Sequence, residues 1–156
     1  MTVQTGAYTF LDVNASIQGP GGNFSLASAG LSDEGLTLSQ ASDKNTMMVG
    51  AAGDGMHSLR ASTAARVTVS LLKTGTGNAQ MNALYRHQSV SSAYWGQNTI
   101  TITNAVTGDS IVLTGCAFVK QTDLGYKSEG GLNVWAFDCI ASEQILGNNY
   151  QSTGSV

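Results

Sequence analysis

Apolar and polar residues alternate with a period of two along much of this chain, and the pattern predicts β-strands. The alternation is clearest over residues 65–72 and again over residues 98–104, as expected for strands with one buried face. Turn signals at residues 19–22 and 107–109 separate such segments. Further strands are predicted from alternating, β-branched or aromatic runs at 8–17, 23–27, 34–40, 110–114, 116–120 and 132–140.

One segment has helical spacing instead. Apolar side chains recur at helical intervals over residues 77–88, and Thr76 is placed to cap the first turn. The stripe consists of Ala79, Met81, Leu84 and Tyr85. We therefore expect a mainly β protein, an antiparallel β-sandwich or barrel with one packed α-helix. No repeat or linker is visible, so residues 1–156 are expected to form a single domain with a flexible polar tail at about 147–156.

Residues 41–62 form a long extended loop in which methionines and a valine stand among glycines without sustained periodicity. Loops of this length in compact domains are usually either functional or disordered, and disordered segments are poor in apolar residues. We therefore predict a hairpin arm that docks on a partner through adaptable methionine side chains. The alternative is that these methionines complete the core of the subunit. The predicted contact residues are Asp43, Lys44, Asn45, Met47, Met48, Met56 and His57.

Charge is sparse and dispersed. Charged residues make up 11% of the chain, against roughly 25% in a typical soluble domain. A surface with so little charge favours self-association, although a Ser/Thr-rich β protein that merely carries few charges is the alternative. The net charge is −3 and the seven Lys and Arg residues are scattered. High-affinity nucleic-acid binding is therefore not expected, because it needs several phosphate contacts on one face.

The two cysteines, Cys116 and Cys139, lie in separate predicted strands without the spacing of a metal or redox motif. Inert buried thiols are the favoured interpretation, and a cross-strand disulfide is the alternative. The first residues lack the basic and apolar regions of a signal peptide, and no apolar run is long enough to span a bilayer. We therefore expect a protein that is made in a cytoplasm and kept or assembled there.

The sequence contains no recognisable catalytic or metal-binding motif. His57 and His87 have no second histidine or cysteine at ligand spacing. Serines are plentiful, but none stands in a nucleophile elbow. We therefore expect no enzymatic activity, no metal and no cofactor.

Several segments, taken together, resemble a family of small structural proteins from contractile-tailed phages and prophages, which we identify with the tail tube. The similarity covers about residues 8–146, nearly the whole chain. The segments that carry it are YTFLDV at 8–13, GPGG at 19–22, DKNTM at 43–47, GDGMHSL at 53–59, LLKT at 71–74, WGQN at 95–98, CAF at 116–118 and VWAFD at 134–138.

The resemblance implies a structural virion protein of the phage tail, assembled in the host cytoplasm. Tail tube proteins form hexameric rings whose strands join into a continuous inner β-barrel, and an extended loop stacks the rings. The partners implied are further copies of the chain, the surrounding sheath, and baseplate or terminator proteins, while DNA passes through during ejection without specific binding. The loop at 41–62 would then be the contact between rings.

A tube subunit needs a polar face for the bore, and the Ser/Thr rows of the strands supply candidates. Each row faces away from an apolar row, so each strand has one dry and one wet face. The candidates are Thr37, Ser39, Thr68, Ser70, Thr99, Thr101, Thr103 and Asp138. Alternation places Arg66 on the same face, and we expect it to lie at the strand end, paired with an acid. The alternative is that these rows face ordinary solvent.

Two other functions fit a small β protein. One is a different virion component, such as a head-decoration protein. The other is a carbohydrate-binding β-sandwich, for which Tyr94 and Trp95 would be the only adjacent aromatic pair.

Overall fold

Antiparallel strands dominate the computed structural model, which describes residues 4–26, 31–147 and 151–152. The strands are β1 (Gln4–Thr5), β2 (Val13–Gly19), β3 (Gly22–Ser25), β4 (Leu31–Gln40), β5 (Asn45–Val49), β6 (Gly55–Leu59), β7 (Ala65–Leu72), β8 (Asn98–Asn104), β9 (Asp109–Phe118), β10 (Leu132–Ile145) and β11 (Gln151–Ser152). One α-helix, α1 (Gly77–Gln88), and two 3₁₀ turns, Phe10–Asp12 and Ser92–Tyr94, complete the elements of the described residues.

Seven of these strands form one antiparallel sheet in the order β3-β2-β8-β9-β10-β7-β4. The predicted class, mainly β and antiparallel with one packed helix, is confirmed. The sheet is not closed into a barrel, because β3 and β4 remain as its edges. Two small sheets, β1 with β11 and β5 with β6, are separate from it.

The periodicity of apolar residues in the sequence predicted the bounds of some elements well and those of others less well. The bounds predicted for β7, α1 and β8 are those observed. The strand predicted at 8–17 starts only at Val13, because Phe10–Asp12 form a 3₁₀ turn in which the Thr9 Oγ1 accepts from the Leu11 N–H at 3.3 Å. The strand predicted at 132–140 continues to Ile145.

The two strands predicted at 110–114 and 116–120 are one strand, β9. Gly115 has φ 65°, a left-handed conformation that glycine adopts without steric cost. The irregularity shifts the alternation by one position, so the apolar pattern breaks although the strand continues. An Ile140 side chain from β10 lies over Gly115, where a Cβ would come within 3.0 Å of it.

Part of the predicted C-terminal tail has defined partners. The Gly147 N–H donates to the Asp109 Oδ1 at 2.9 Å, and Gln151–Ser152 pair with Gln4–Thr5. Residues 148–150 and 153–156 of that tail lie outside the described residues.

The core lies between one face of the large sheet and the helix. Phe118 is its aromatic centre, with ring centroids of Phe137, Tyr85 and Trp135 at 4.5, 5.5 and 5.9 Å. The buried apolar residues are Ala15, Ile17, Leu26, Ala65, Val67, Val69, Leu71, Met81, Leu84, Ile100, Leu113, Cys116, Phe118, Trp135, Phe137 and Cys139. Burial of this apolar surface is the main stabilising contribution to the fold.

Amide side chains attach both ends of the helix to the sheet. Thr76 occupies the predicted N-cap position, but its side chain makes no capping hydrogen bond. Asn78 instead donates to the Leu72 carbonyl at 2.7 Å and accepts from the Trp135 indole N–H at 3.2 Å. At the other end, Gln88 and Asn98 are fully buried and exchange two hydrogen bonds of 2.7 and 2.9 Å. No helix in the described part of the chain is both long and apolar enough to cross a membrane.

Candidate assembly surfaces

A two-stranded hairpin forms a small sheet of its own, separate from the large sheet. We call residues 45–59, which comprise β5, β6 and their turn, the arm. Every residue of the arm is exposed, including Met47, Met48 and Met56 with 62, 65 and 57% of their surfaces accessible. The methionines therefore do not complete the core of the subunit, which was the alternative considered from the sequence.

The turn of the arm is closed by main-chain hydrogen bonds. The Gly50 N–H donates to the Asp54 carbonyl at 2.7 Å, and the Gly53 N–H donates to the Gly50 carbonyl at 3.0 Å. Gly53 has φ 92°, a conformation that side-chain-bearing residues rarely adopt. At the base, the Arg60 N–H donates to the Lys44 carbonyl at 2.9 Å. The hairpin predicted from the apolar residues is thus formed and held at both ends.

Cross-strand register divides the arm into two faces. Met48 and Met56 are directly opposite each other on one face, and Met47 and His57 are opposite each other on the other. The Asn45 Nδ2 donates to the His57 Nδ1 at 2.8 Å. Both faces of the arm carry apolar groups, so neither face is suited to contact with solvent only.

The remaining two predicted contact residues, Asp43 and Lys44, lie at the base of the arm. They line a polar cleft together with Gln40, Ser42, Ser62, Thr63, Ser142 and Gln144. The Ser142 hydroxyl donates to the Thr63 carbonyl at 2.9 Å across it. All seven predicted contact residues therefore belong to one continuous projection.

The second candidate surface is the side of the large sheet that faces away from the core. Ser39, Arg66 and Asp138 are adjacent across β4, β7 and β10, and Thr37 and Thr68 lie in the neighbouring row. We call these five residues the polar face. Its members are exposed apart from Thr68, which is half-buried. Ser70, predicted to share this face, is only 6% exposed in the isolated chain.

The expectation that Arg66 is paired with an acid at a strand end is confirmed. Arg66 is the second residue of β7, and its Nε and a terminal guanidinium nitrogen donate to the two Asp138 oxygens at 2.8 and 3.3 Å. This hydrogen bond and the nearby carboxylate charge raise the pKa of Arg66. The polar face consequently carries one cation that is matched by one anion.

The threonines of β8 form a separate group. Thr101 is half-buried and pairs with Ser16, and Thr99 and Thr103 have polar partners on β2 as well. They also face away from the core, but β9 lies between β8 and β10, which is the nearest strand of the polar face. The structure therefore divides the predicted lumen residues into two groups at different ends of the sheet.

A match to a protein family indicates what kind of protein carries these two surfaces. The family model of the bacteriophage PhiTE tail tube protein matches residues 5–147. The chain belongs to this family. It is accordingly a structural tail tube protein of a phage, from a class of proteins that are typically not enzymes. No curated protein matches the chain significantly.

In this tail tube protein the histidines and the exposed aromatic pair have local structural partners. His87 stacks on Tyr94, with ring centroids 5.1 Å apart, and Trp95 meets Tyr85 edge-on at 6.2 Å. Within the described residues, no group of three or more His, Cys, Asp or Glu side chains could hold a metal ion.

Sequence analysis missed one feature of the outer sheet face. Over residues 134–140 of β10, three of the four outward residues are apolar: Val134, Ala136 and Ile140, with 44% of Val134 and 74% of Ile140 exposed. The signal was present in the run 134–137, where apolar residues occupy both faces of the strand. A strand with two apolar faces is expected to be covered on both sides, so this stripe is a further candidate for contact between subunits.

Proposed function

We propose that the chain is the subunit of the inner tube of a contractile tail, assembling as hexameric rings that stack into the conduit for DNA ejection. Its further partners are then the sheath around the tube and the baseplate and terminator proteins at its ends, with assembly in the host cytoplasm. Membership of the tail tube family supports the tube itself. The exposed apolar side chains of the arm are the observation that supports stacking of rings.

The physical argument for a contact through the arm is that its own subunit leaves the apolar side chains of the arm exposed. A two-stranded hairpin without packing is at best marginally stable in water, and this one exposes three methionines, Val49 and Leu59. Methionine side chains adapt to irregular apolar surfaces. Burial of the arm against a neighbouring ring would remove this apolar surface from water and stabilise the contact.

The polar face is the part of the surface best suited to the bore. DNA has to pass without binding, and every unpaired cation would add a contact to a phosphate. Asp138 neutralises Arg66, and the neighbouring positions are small hydroxyl side chains. The group on β8 is separated from the polar face by β9 and lies on the same side of the sheet as the apolar stripe of β10. That stripe favours contact between subunits over lining of a channel.

The test is the assembly state of the purified protein and of a Met48→Asp variant. We expect the wild-type protein to give rings or tubes in negative-stain images and hexamers or larger species in mass photometry. Because Met48 is 65% exposed, Met48→Asp should keep its circular dichroism spectrum and thermal midpoint. It should stop at single rings, because a charge cannot be buried cheaply in an apolar contact.

Met48→Leu is the matched control and should form tubes of normal length. Long tubes from Met48→Asp would refute the role of the arm. A wild-type protein that stays monomeric at high concentration, even when the complex that initiates the tail is added, would refute the tube subunit itself. Binding to capsids without rings or tubes would indicate a head-decoration protein.

A further inference from the structure

Two thiols face each other inside the large sheet. Cys116 of β9 and Cys139 of β10 are directly opposite in the strand register. Both are free and buried, with 0 and 3% of their surfaces exposed. The Cys116 thiol donates to the Cys139 sulfur, and the two Sγ atoms are 2.7 Å apart.

This arrangement needs little rearrangement to form a disulfide. Directly opposed residues of antiparallel strands have Cα atoms roughly 4.5–5.5 Å apart, within the roughly 4.4–6.8 Å that disulfides span. The sulfur atoms would have to approach by less than about 1 Å to reach a bond length of about 2.05 Å. The strands themselves can therefore stay where they are.

We propose that Cys116 and Cys139 form an oxidation site, which a peroxide converts into an intrachain disulfide between β9 and β10. One thiolate attacks a peroxide oxygen, which gives a sulfenic acid and, after protonation, water. The second thiol then attacks the sulfenic sulfur, forms the S–S bond and releases a second water. In total, two thiols and one hydrogen peroxide yield one disulfide and two waters, and two electrons pass from sulfur to oxygen.

The order of the two steps follows from the hydrogen bond between the thiols. Donation from Cys116 lowers the pKa of Cys139, although burial and the charge of Asp138 act in the opposite direction. The same hydrogen bond, together with burial, raises the pKa of Cys116. Since the thiolate is the nucleophile, Cys139 reacts with the peroxide first. Cys116 then attacks the sulfenic acid that forms on Cys139. Cys139 is also the more accessible of the two.

The disulfide would close a loop between neighbouring strands in the interior of the sheet. A crosslink of this kind restricts the unfolded chain, and the thermal midpoint should rise by roughly 5–10 °C on oxidation. The inference does not depend on whether the chain forms a tube, since both sulfur atoms belong to one subunit.

The experiment exposes the reduced full-length protein to hydrogen peroxide without denaturant. The peroxide is then removed with catalase, and the protein is unfolded, alkylated with N-ethylmaleimide and digested. We expect one linked peptide pair that contains Cys116 and Cys139, neither of them alkylated, and recovery of both thiols after dithiothreitol. Exposed methionines also take up oxygen, so the readout is the cysteine peptides, and oxidation of Met47 and Met48 reports the peroxide dose.

Two variants test the sulfenic acid step with dimedone, which traps sulfenic acids. Cys116→Ala leaves Cys139 without a resolving thiol and should give a dimedone adduct on Cys139, and Cys139→Ala should give one on Cys116 for the same reason. If either variant fails to fold, peptide mapping of the wild-type protein remains decisive. Two alkylated cysteines in protein whose arm methionines are fully oxidised would overturn the proposal, and so would disulfides that join two chains.

Discussion

At the scale of single residues, the amide pair at the end of the helix is a buried polar contact between the helix and the sheet. Gln88 and Asn98 satisfy each other in a fully buried position, and the Gln88 Nε2 also donates to the Pro20 carbonyl at 3.2 Å. The backbone at Gly19 passes directly over this pair. A glycine is needed there because a side chain would occupy the space of the hydrogen bonds.

Replacement of Gly19 by alanine should therefore destabilise the protein. The added Cβ would overlap the Asn98 Oδ1 and come within 3.1 Å of the Gln88 Nε2. We expect a loss of about 1–3 kcal/mol in the free energy of unfolding, measured by urea denaturation.

Gly130→Ala is the matched control, because no atom lies within 4 Å of the Cβ that it would add. Both changes restrict the unfolded chain to a similar extent, so the difference between them isolates the clash. Equal stabilities of the two variants would show that the amide pair tolerates displacement.

At the scale of elements, β10 is unusual because both of its faces are largely apolar. Its inward face supplies Trp135, Phe137 and Cys139 to the core, and its outward face carries Val134 and Ile140. The outer side of the sheet is therefore not one wet surface. The part around β4 and β7 combines exposure with a continuous set of polar side chains.

Lysines on that part of the sheet should slow the passage of DNA. We expect phages with Thr37→Lys and Thr68→Lys together to assemble complete tails but to eject DNA slowly or incompletely. The reason is that every copy of the subunit would add unpaired cations that bind phosphates. Ser70 is left unchanged, because a lysine at a position with 6% exposure would threaten folding.

The pair Thr37→Gln and Thr68→Gln controls for size without charge and should eject normally. Ejection is followed by release of DNA from purified virions on addition of the receptor. Normal ejection by fully assembled lysine phages would place the bore on another surface.

The local periodicity of apolar residues was sufficient to predict elements that have one solvent-exposed face and one buried face. Alternation located β7 and β8, and an apolar stripe at helical spacing located α1, to the residue. It failed at Gly115, where a left-handed residue shifts the alternation inside one strand. It also could not predict the 3₁₀ turn at Phe10–Asp12, whose side chains resemble those of a strand.

The candidate surfaces were also predictable to different degrees, because local sequence patterns reveal some surfaces and not others. The arm was visible because methionines among glycines are improbable in a solvated loop. Pairing of Arg66 followed from its position among hydroxyl residues on one strand face. The apolar stripe on β10 was not predicted, since both of its faces look like core in the sequence and only the neighbouring strands decide which one is covered.

At the scale of the whole molecule, charge is sparse, since charged residues make up 11% of the chain. The described residues contain two ion pairs, Arg66–Asp138 and Lys120–Asp123. The arm itself carries only Asp54 and His57 as ionisable side chains. In the proposed assembly, we therefore expect contacts between subunits to depend mainly on apolar burial and on hydrogen bonds.

Tubes should accordingly persist at high salt. Raising sodium chloride from about 0.1 M to about 1 M shortens the screening length from about 10 Å to about 3 Å, which weakens ion pairs but not apolar contacts. We expect the pelleted fraction in sedimentation to remain constant or to increase. Dissolution of tubes over this range would show that charges between subunits hold the rings.

The exposure of the arm has a kinetic consequence. An unsupported hairpin loses conformational entropy when it becomes fixed, and the first ring has no partner that repays this cost. Each later ring would meet a surface on which earlier arms are already ordered. Growth should therefore begin only after a lag, which short preformed tubes would abolish, and the length of the tail would be decided by where nucleation happens and what stops it.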